Sequence, residues 1–226
     1  YGNVNTTHVR ERFLRPSIGW RWQGRLHETA HPERSLDWAT TEDIRWVHRA
    51  KQTNQTARNL PILLKWNGDE PDNFRVWLFI GNQYFADAQW ENAAKWYTKF
   101  WNDTRGVLSD RLQAMIYAAN AWRSLFNVKE AIRANMAGVT EFPSKADSYI
   151  GMCENMILLR QWKKAIIWGE QVLQRDPVDP ISFQNPLDYT WRIWKDLSIA
   201  YAGDGQLEKA VAACDQALEV RPDDED

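Results

Sequence analysis

The chain of 226 residues is poor in cysteine, holding only Cys153 and Cys214. Both fall inside helical patterns and neither has a spaced partner, which excludes a disulfide framework and a cysteine zinc site. Long hydrophobic runs are also missing: none approaches the roughly 18 residues that a membrane-spanning helix needs, so no membrane partner is expected. Neither sign of charge prevails. With 28 Lys and Arg against 30 Asp and Glu the net charge is -2, so the chain lacks the basic footprint of a nucleic-acid binder and no nucleic acid is expected. No charged-then-apolar leader follows Tyr1, and together with the sparse cysteines this points to a cytoplasmic piece of a longer protein.

What is abundant is tryptophan, 14 residues of the 226. Large aromatics fill helix-on-helix cores and also stack on sugars and peptides, so their positions must decide between packing and binding.

From about residue 74 apolar residues recur at steps of three and four, the pattern of paired amphipathic helices. A repeat emerges when Trp77, Ile80, Gly81, Tyr84, Ala93 and Tyr97 are laid against later stretches, at offsets 0, 3, 4, 7, 16 and 20. The same frame fits Met115, Ala118, Ala119, Trp122, Ala131 and Asn135, and then Tyr149, Met152, Cys153, Met156, Ala165 and Gly169. A fourth fit is Trp194, Leu197, Ser198, Tyr201, Ala210 and Cys214. Pro143, Pro177 and Pro222 close the last three frames at offset 28.

This frame resembles the tetratricopeptide repeat, which pairs helices A and B in units of about 34 residues. Small residues at offsets 4 and 16 let the two helices of a hairpin approach, while large ones at 0 and 7 fill the gap to the next hairpin. Ser144 to Asp147 reads as a capping box opening the third A helix, and Gly203-Asp204-Gly205 as the turn of the fourth hairpin. The spacing between the third and fourth frames is longer, and prolines near residues 176–186 place a loop there. Asn59 to Trp66, ending before Pro71, reads as a lone capping B helix. The sequence therefore predicts a mostly α chain, with a helical solenoid of a capping helix plus four repeats over 54–226. Most of the repeat tryptophans, Trp77, Trp122 and Trp194 among them, are assigned to packing.

Residues 1–53 differ in kind. Residues 1–58 carry a net charge of +4 and the remainder -6. Val9, Phe13, Leu14, Ile18, Trp20, Trp22 and Leu26 alternate with Arg and Gly, and Pro16 to Gly19 reads as a turn, which predicts a β-hairpin with strands near 8–15 and 20–28. Two isolated strands are marginal in water, so the hairpin must pack on the solenoid or on something outside the chain.

The strings Arg12-Phe13-Leu14-Arg15 and Gly19-Trp20-Arg21-Trp22-Gln23-Gly24-Arg25-Leu26-His27-Glu28 resemble the closing segment of the GT-A-like catalytic domain in family 2 glycosyltransferases fused to tetratricopeptide repeats. Leu187 to Asp196, with Tyr189, Trp191 and Arg192, resembles an element of the last hairpin in the same fused proteins. The resemblance implies that 1–53 is the incomplete C-terminal end of a nucleotide-sugar-dependent catalytic domain. It further implies a divalent cation, Mn or Mg, in the intact enzyme, with His27 as a metal-proximal residue or else a hydrogen-bonding residue at a strand end. Trp20, Arg21, Trp22, Arg25 and Glu28 become candidates for substrate contact. Trp20 and Trp22 would stack on a sugar or acceptor, or else pack under a sheet. Arg21 and Arg25 would pair with diphosphate oxygens, or else line a solvated strand face. Glu28 would hold a sugar hydroxyl, orient His27 or pair with Arg21 or Arg25. The Asp-x-Asp type carboxylates that hold the metal have no candidate upstream in this chain, so the fragment alone is expected to transfer no sugar.

The repeat frame places Arg75, Asn82, Asn120, Arg123 and Glu154 on the concave side, where mixed polar groups suit an extended peptide or an acceptor protein. Homo-oligomerisation is a further role for such an array. The alternative to the glycosyltransferase reading is a non-enzymatic tetratricopeptide-repeat scaffold for protein interactions.

Overall fold

The computed structural model of the protein describes residues 17, 19–26, 28–33, 55–175 and 189–221. Within these, a two-stranded sheet, β1 (Trp20–Gln23) and β2 (Thr29–Pro32), precedes nine helices. They are α1 (Gln55–Asp69), α2 (Phe74–Ala86), α3 (Trp90–Trp101), α4 (Leu108–Ser124), α5 (Val128–Glu141), α6 (Asp147–Leu158), α7 (Trp162–Val172), α8 (Trp191–Gly203) and α9 (Leu207–Val220). The chain is mostly α, as expected: α1 packs on α2, and α2–α3, α4–α5, α6–α7 and α8–α9 form hairpins. Each helix packs on the next in sequence, and the A helices α2, α4, α6 and α8 also touch one another in succession. The A helices thus form the inner, concave layer of the solenoid.

The repeat frame explains this packing. The small residue at offset 16 is buried in every hairpin, as Ala93, Ala131, Ala165 and Ala210. Gly81, at offset 4, lies against the ring of Tyr97 at offset 20, and a Cβ there would sit 2.8 Å from two ring carbons. Side chains at offset 0 are buried at Trp77, Met115 and Tyr149.

The A–B turns repeat as well. At offset 11 the backbone enters the left-handed region in all four hairpins, at Ala88 (φ 53°), Phe126 (56°), Arg160 (53°) and Gly205 (81°). The following N–H reaches back to the carbonyl of offset 7 each time: Gln89 to Tyr84, Asn127 to Trp122, Gln161 to Met156 and Gln206 to Tyr201, at 2.8–2.9 Å. This closes the end of each A helix and satisfies its terminal carbonyls. Only the fourth turn uses glycine, the residue that adopts this conformation without cost.

The helix start at 147 departs from expectation. Ser144 does not cap α6; the residue before the helix, Ala146, is itself helical, with no side-chain cap. A turn around Pro143 takes over, in which the Lys145 N–H donates to Phe142 and the Pro143 carbonyl accepts from the Tyr149 hydroxyl at 3.1 Å and from Arg175 Nε at 3.0 Å. The predicted loop near 176–186 lies outside the described residues.

The hairpin also differs from its predicted form. Trp20–Gln23 pairs antiparallel with Thr29–Pro32, in the register Trp20↔Pro32 to Gln23↔Thr29, so the strand predicted over 20–28 ends at Gln23 and pairs with a segment that follows it; the predicted turn at 16–19 falls partly outside the described residues. Gly24, at φ 114°, breaks the strand after Gln23, and a backbone in that region cannot continue an extended run. The predicted strand at 8–15 lies outside the described residues. The hairpin packs on the solenoid: Leu26 joins the cluster of Leu63, Trp66, Val76 and Ile80, and Gly24 approaches the Trp66 ring.

Candidate ligand groove

The five residues that the repeat frame assigned to the concave side all sit on A helices, in two chemically distinct parts. The first part spans α2 and α4. Arg75 lies 5.4 Å from the Phe79 ring centroid, and its Nη1 donates to Thr29 Oγ1 at 3.2 Å, joining the groove to the hairpin. Asn82 accepts a hydrogen bond from the Tyr97 hydroxyl at 2.9 Å, and burial pushes that hydroxyl well above its ordinary pKa. Phe85 stacks on Tyr117 with centroids 5.4 Å apart. Asn82, Phe85, Tyr117 and Asn120 are all half-buried, so rings and carboxamides share one surface.

The second part spans α4, α6 and α8 and is charged. Arg123 Nη2 donates to Asn120 Oδ1 at 2.6 Å and lies 2.5 Å from Glu154 Oε2. Arg192 reaches the other oxygen of the same carboxylate. Asp196 stands one turn beyond Arg192 on α8. Its carboxyl is pushed up to about 7, first by burial and then by Glu154, with Arg192, Arg123 and Lys195 opposing. Burial lowers the pKa of the Arg123 guanidinium and raises that of the Cys153 thiol beside the cluster.

Three of the predicted residues, Asn120, Arg123 and Glu154, are therefore brought together, whereas Arg75 and Asn82 belong to the aromatic part. Sequence reasoning missed Arg192, Asp196, Phe85 and Tyr117. The frame held the signal, since Arg192 occupies in the fourth repeat the offset that Arg75 occupies in the first.

The candidates of the hairpin lie apart from this groove. Trp20 is half-buried and Trp22 is 68% exposed. Alternation does not carry through Gly24, so Arg21 and Arg25 do not share a strand face. Arg21 Nε donates to Glu33 Oε1 at 3.0 Å; Arg25 pairs with Asp69 and, at 3.6 Å, with Glu70. Glu28 is exposed, and His27 lies outside the described residues. Among the described residues no three His, Cys, Asp or Glu side chains converge on a metal site, so the residues described here do not by themselves fit the divalent cation implied by the resemblance. Nor is any helix among them long and apolar enough to cross a membrane.

A cavity of about 230 Å³ opens between α3 and α5, lined by Lys95, Thr98, Trp101, Trp122, Glu130 and Arg133. It is formed chiefly by B helices.

No family model and no curated protein matches the chain. Solved structures do match. A crystal structure of MamA superposes with a TM-score of 0.59 at 20% identity, covering 75% of this chain and 95% of that one. MamA 41-end from Desulfovibrio magneticus RS-1 gives 0.54 at 18% identity, covering 68% and 78%. YrrB, described as a tetratricopeptide-repeat protein with an unusual peptide-binding site, gives 0.58 at 16% identity, covering 75% and 80%. These likenesses establish the fold as a tetratricopeptide-repeat solenoid.

Proposed function

We propose that the chain is a protein-interaction scaffold whose concave face receives an extended segment of a partner protein. One observation carries this reading: half-buried Asn82, Phe85, Tyr117 and Asn120 sit together on successive A helices. Carboxamides both donate and accept, which suits the alternating N–H and C=O of an extended backbone, and the rings offer apolar contact to side chains. The peptide-binding site named for YrrB, on the same fold, supports it.

The test is a peptide array probed with the purified chain, followed by fluorescence anisotropy on the strongest binder. Asn82→Ala and Asn120→Ala should each weaken binding by roughly tenfold, the scale of one or two lost hydrogen bonds. Lys163→Ala, on the exposed side of α7, should leave it unchanged. Equal affinity in all variants would place the ligand elsewhere.

A second reading draws on the resemblance of Arg12–Glu28 to the end of a family 2 glycosyltransferase domain. Here the chain is the C-terminal portion of a nucleotide-sugar-dependent transferase, and the groove holds its acceptor protein. The docking of the hairpin on α1 and α2, through Leu26, the Arg25–Asp69 pair and the Arg75–Thr29 bond, supports it by tying the segment to the solenoid. The measurement is sugar transfer by a chain extended upstream of Tyr1. Transfer that falls on His27→Ala with folding intact supports the reading, and an extended chain that neither binds nor turns over a nucleotide sugar overturns it.

A further inference from the structure

The charged part of the groove is unusual in how its four groups are shared out. Glu154 on α6 takes both guanidiniums, Arg123 from α4 and Arg192 from α8. Asp196 Oδ2 is buried without a hydrogen-bond partner; Glu154 Oε2 also makes no hydrogen bond, but the Arg123 guanidinium lies 2.5 Å from it. A buried carboxylate with an idle oxygen is costly, whereas a neutral carboxyl tolerates it. With no guanidinium on its idle oxygen, the arrangement favours a neutral Asp196 carboxyl over an ionised one. Arg192 precedes Asp196 by four residues on α8, the spacing at which an Arg and an Asp meet on one helix face. Two of the acceptors open to the guanidinium are therefore carboxyls, one across the repeat interface and one on its own helix.

We propose that Arg192 is a proton-operated latch: it bridges α8 to Glu154 of α6 while the Asp196 carboxyl is neutral, and turns to Asp196 when that carboxyl ionises. The third and fourth repeats are then tied together across the groove floor in the protonated state and released in the ionised one. The pKa of Asp196, raised to about 7, puts the change near neutrality. The other groups facing Asp196 are Arg123 from α4, Glu154 and Cys153 from α6, and Lys195 from α8. Glu170 of α7 and Lys209 of α9 are engaged with Tyr201, further along α8. Arg123 keeps Glu154 paired in both states, so its carboxylate is never abandoned when Arg192 leaves.

The latch goes beyond the peptide-binding reading, and its test uses no peptide. A double-mutant cycle with Glu154→Gln and Arg192→Gln, read by urea unfolding, measures the coupling of the two side chains. At pH 5.5 the pair should change the unfolding equilibrium constant by about tenfold beyond the product of the single effects. At pH 8.5 the coupling should fall to within about twofold of none. In an Asp196→Asn background, where the neutral state is fixed, the coupling should persist at both pH values. The same coupling at pH 5.5 and 8.5 in the otherwise unaltered chain would overturn the proposal, as would its loss at pH 8.5 in the Asp196→Asn background. Carbon-13 NMR of the unsubstituted chain gives the second measurement and needs no variant to fold. The Asp196 carboxyl should titrate near pH 7 together with a shift of the Arg192 Nε–H signal; a titration near pH 4, or an Arg192 signal that does not move, overturns it.

Discussion

Gly81 faces the Tyr97 ring across the α2–α3 crossing so closely that a Cβ would lie 2.8 Å from two ring carbons. The ring cannot retreat freely, because the Tyr97 hydroxyl is bonded to Asn82 and the side chain is fully buried. Gly81→Ala should therefore cost roughly 1–3 kcal/mol, the usual penalty of overpacking a closed core. The urea unfolding midpoint checks this, and an unchanged midpoint would mean that the crossing has slack.

The same reasoning applies at offset 16, where Ala93 is wholly buried between the helices. Ala93→Leu should destabilise the chain by roughly 1–3 kcal/mol. Ala210→Leu, in the last hairpin, should cost less, because Ala210 is 9% exposed. Thermal unfolding of the two variants side by side tests the order.

The four left-handed turn positions make a prediction of opposite sign. Phe126 has φ 56° and is 84% exposed, so its ring contributes little packing while its Cβ strains the turn. Phe126→Gly and Arg160→Gly should each stabilise by about 1 kcal/mol, less the extra entropy that glycine gives the unfolded chain. Gly205→Ala should destabilise by a similar amount. Melting temperatures that fall for both glycine variants would show that the strain is relieved elsewhere.

Asp196 links stability to pH with a definite sign. Its folded pKa, about 7, lies above the unfolded value of 3.8, so the folded chain holds a proton that the unfolded chain has released. The stabilisation is complete below about pH 4, declines as pH rises toward 7 and is gone above it. The span is at most about 4 kcal/mol. Asp196→Asn should remove this decline, so its advantage over the parent chain should grow between pH 5 and pH 8. Parallel curves for the two chains would place the Asp196 pKa in the ordinary range.

Periodicity carried the solenoid because burial is periodic: Trp77, Met115 and Tyr149 recur in frame, and each fills an equivalent space. The hairpin was less legible. Alternation of Trp20, Trp22 and Leu26 predicts one long strand, yet a single Gly24 at φ 114° ends it after Gln23, and φ at a glycine is not encoded by its neighbours' hydropathy. The start of α6 misled for a related reason, since Ser144 has the chemistry of a cap but the Pro143 turn directs the chain otherwise. In the groove, the frame alone puts Arg123 and Glu154 on the A helices. Their sharing with Arg192 and Asp196 depends on three helices meeting, which no window within one repeat contains.

The central claim is that the inner face of the A helices is the binding surface. Hydrogen–deuterium exchange, with and without the strongest array peptide, tests it most directly. The account predicts added protection in α2, α4 and α6 around Asn82, Asn120 and Glu154, with α3, α5 and α7 unchanged. Protection confined to α3 and α5, around the cavity of Trp101 and Trp122, or none on any A helix, would contradict it.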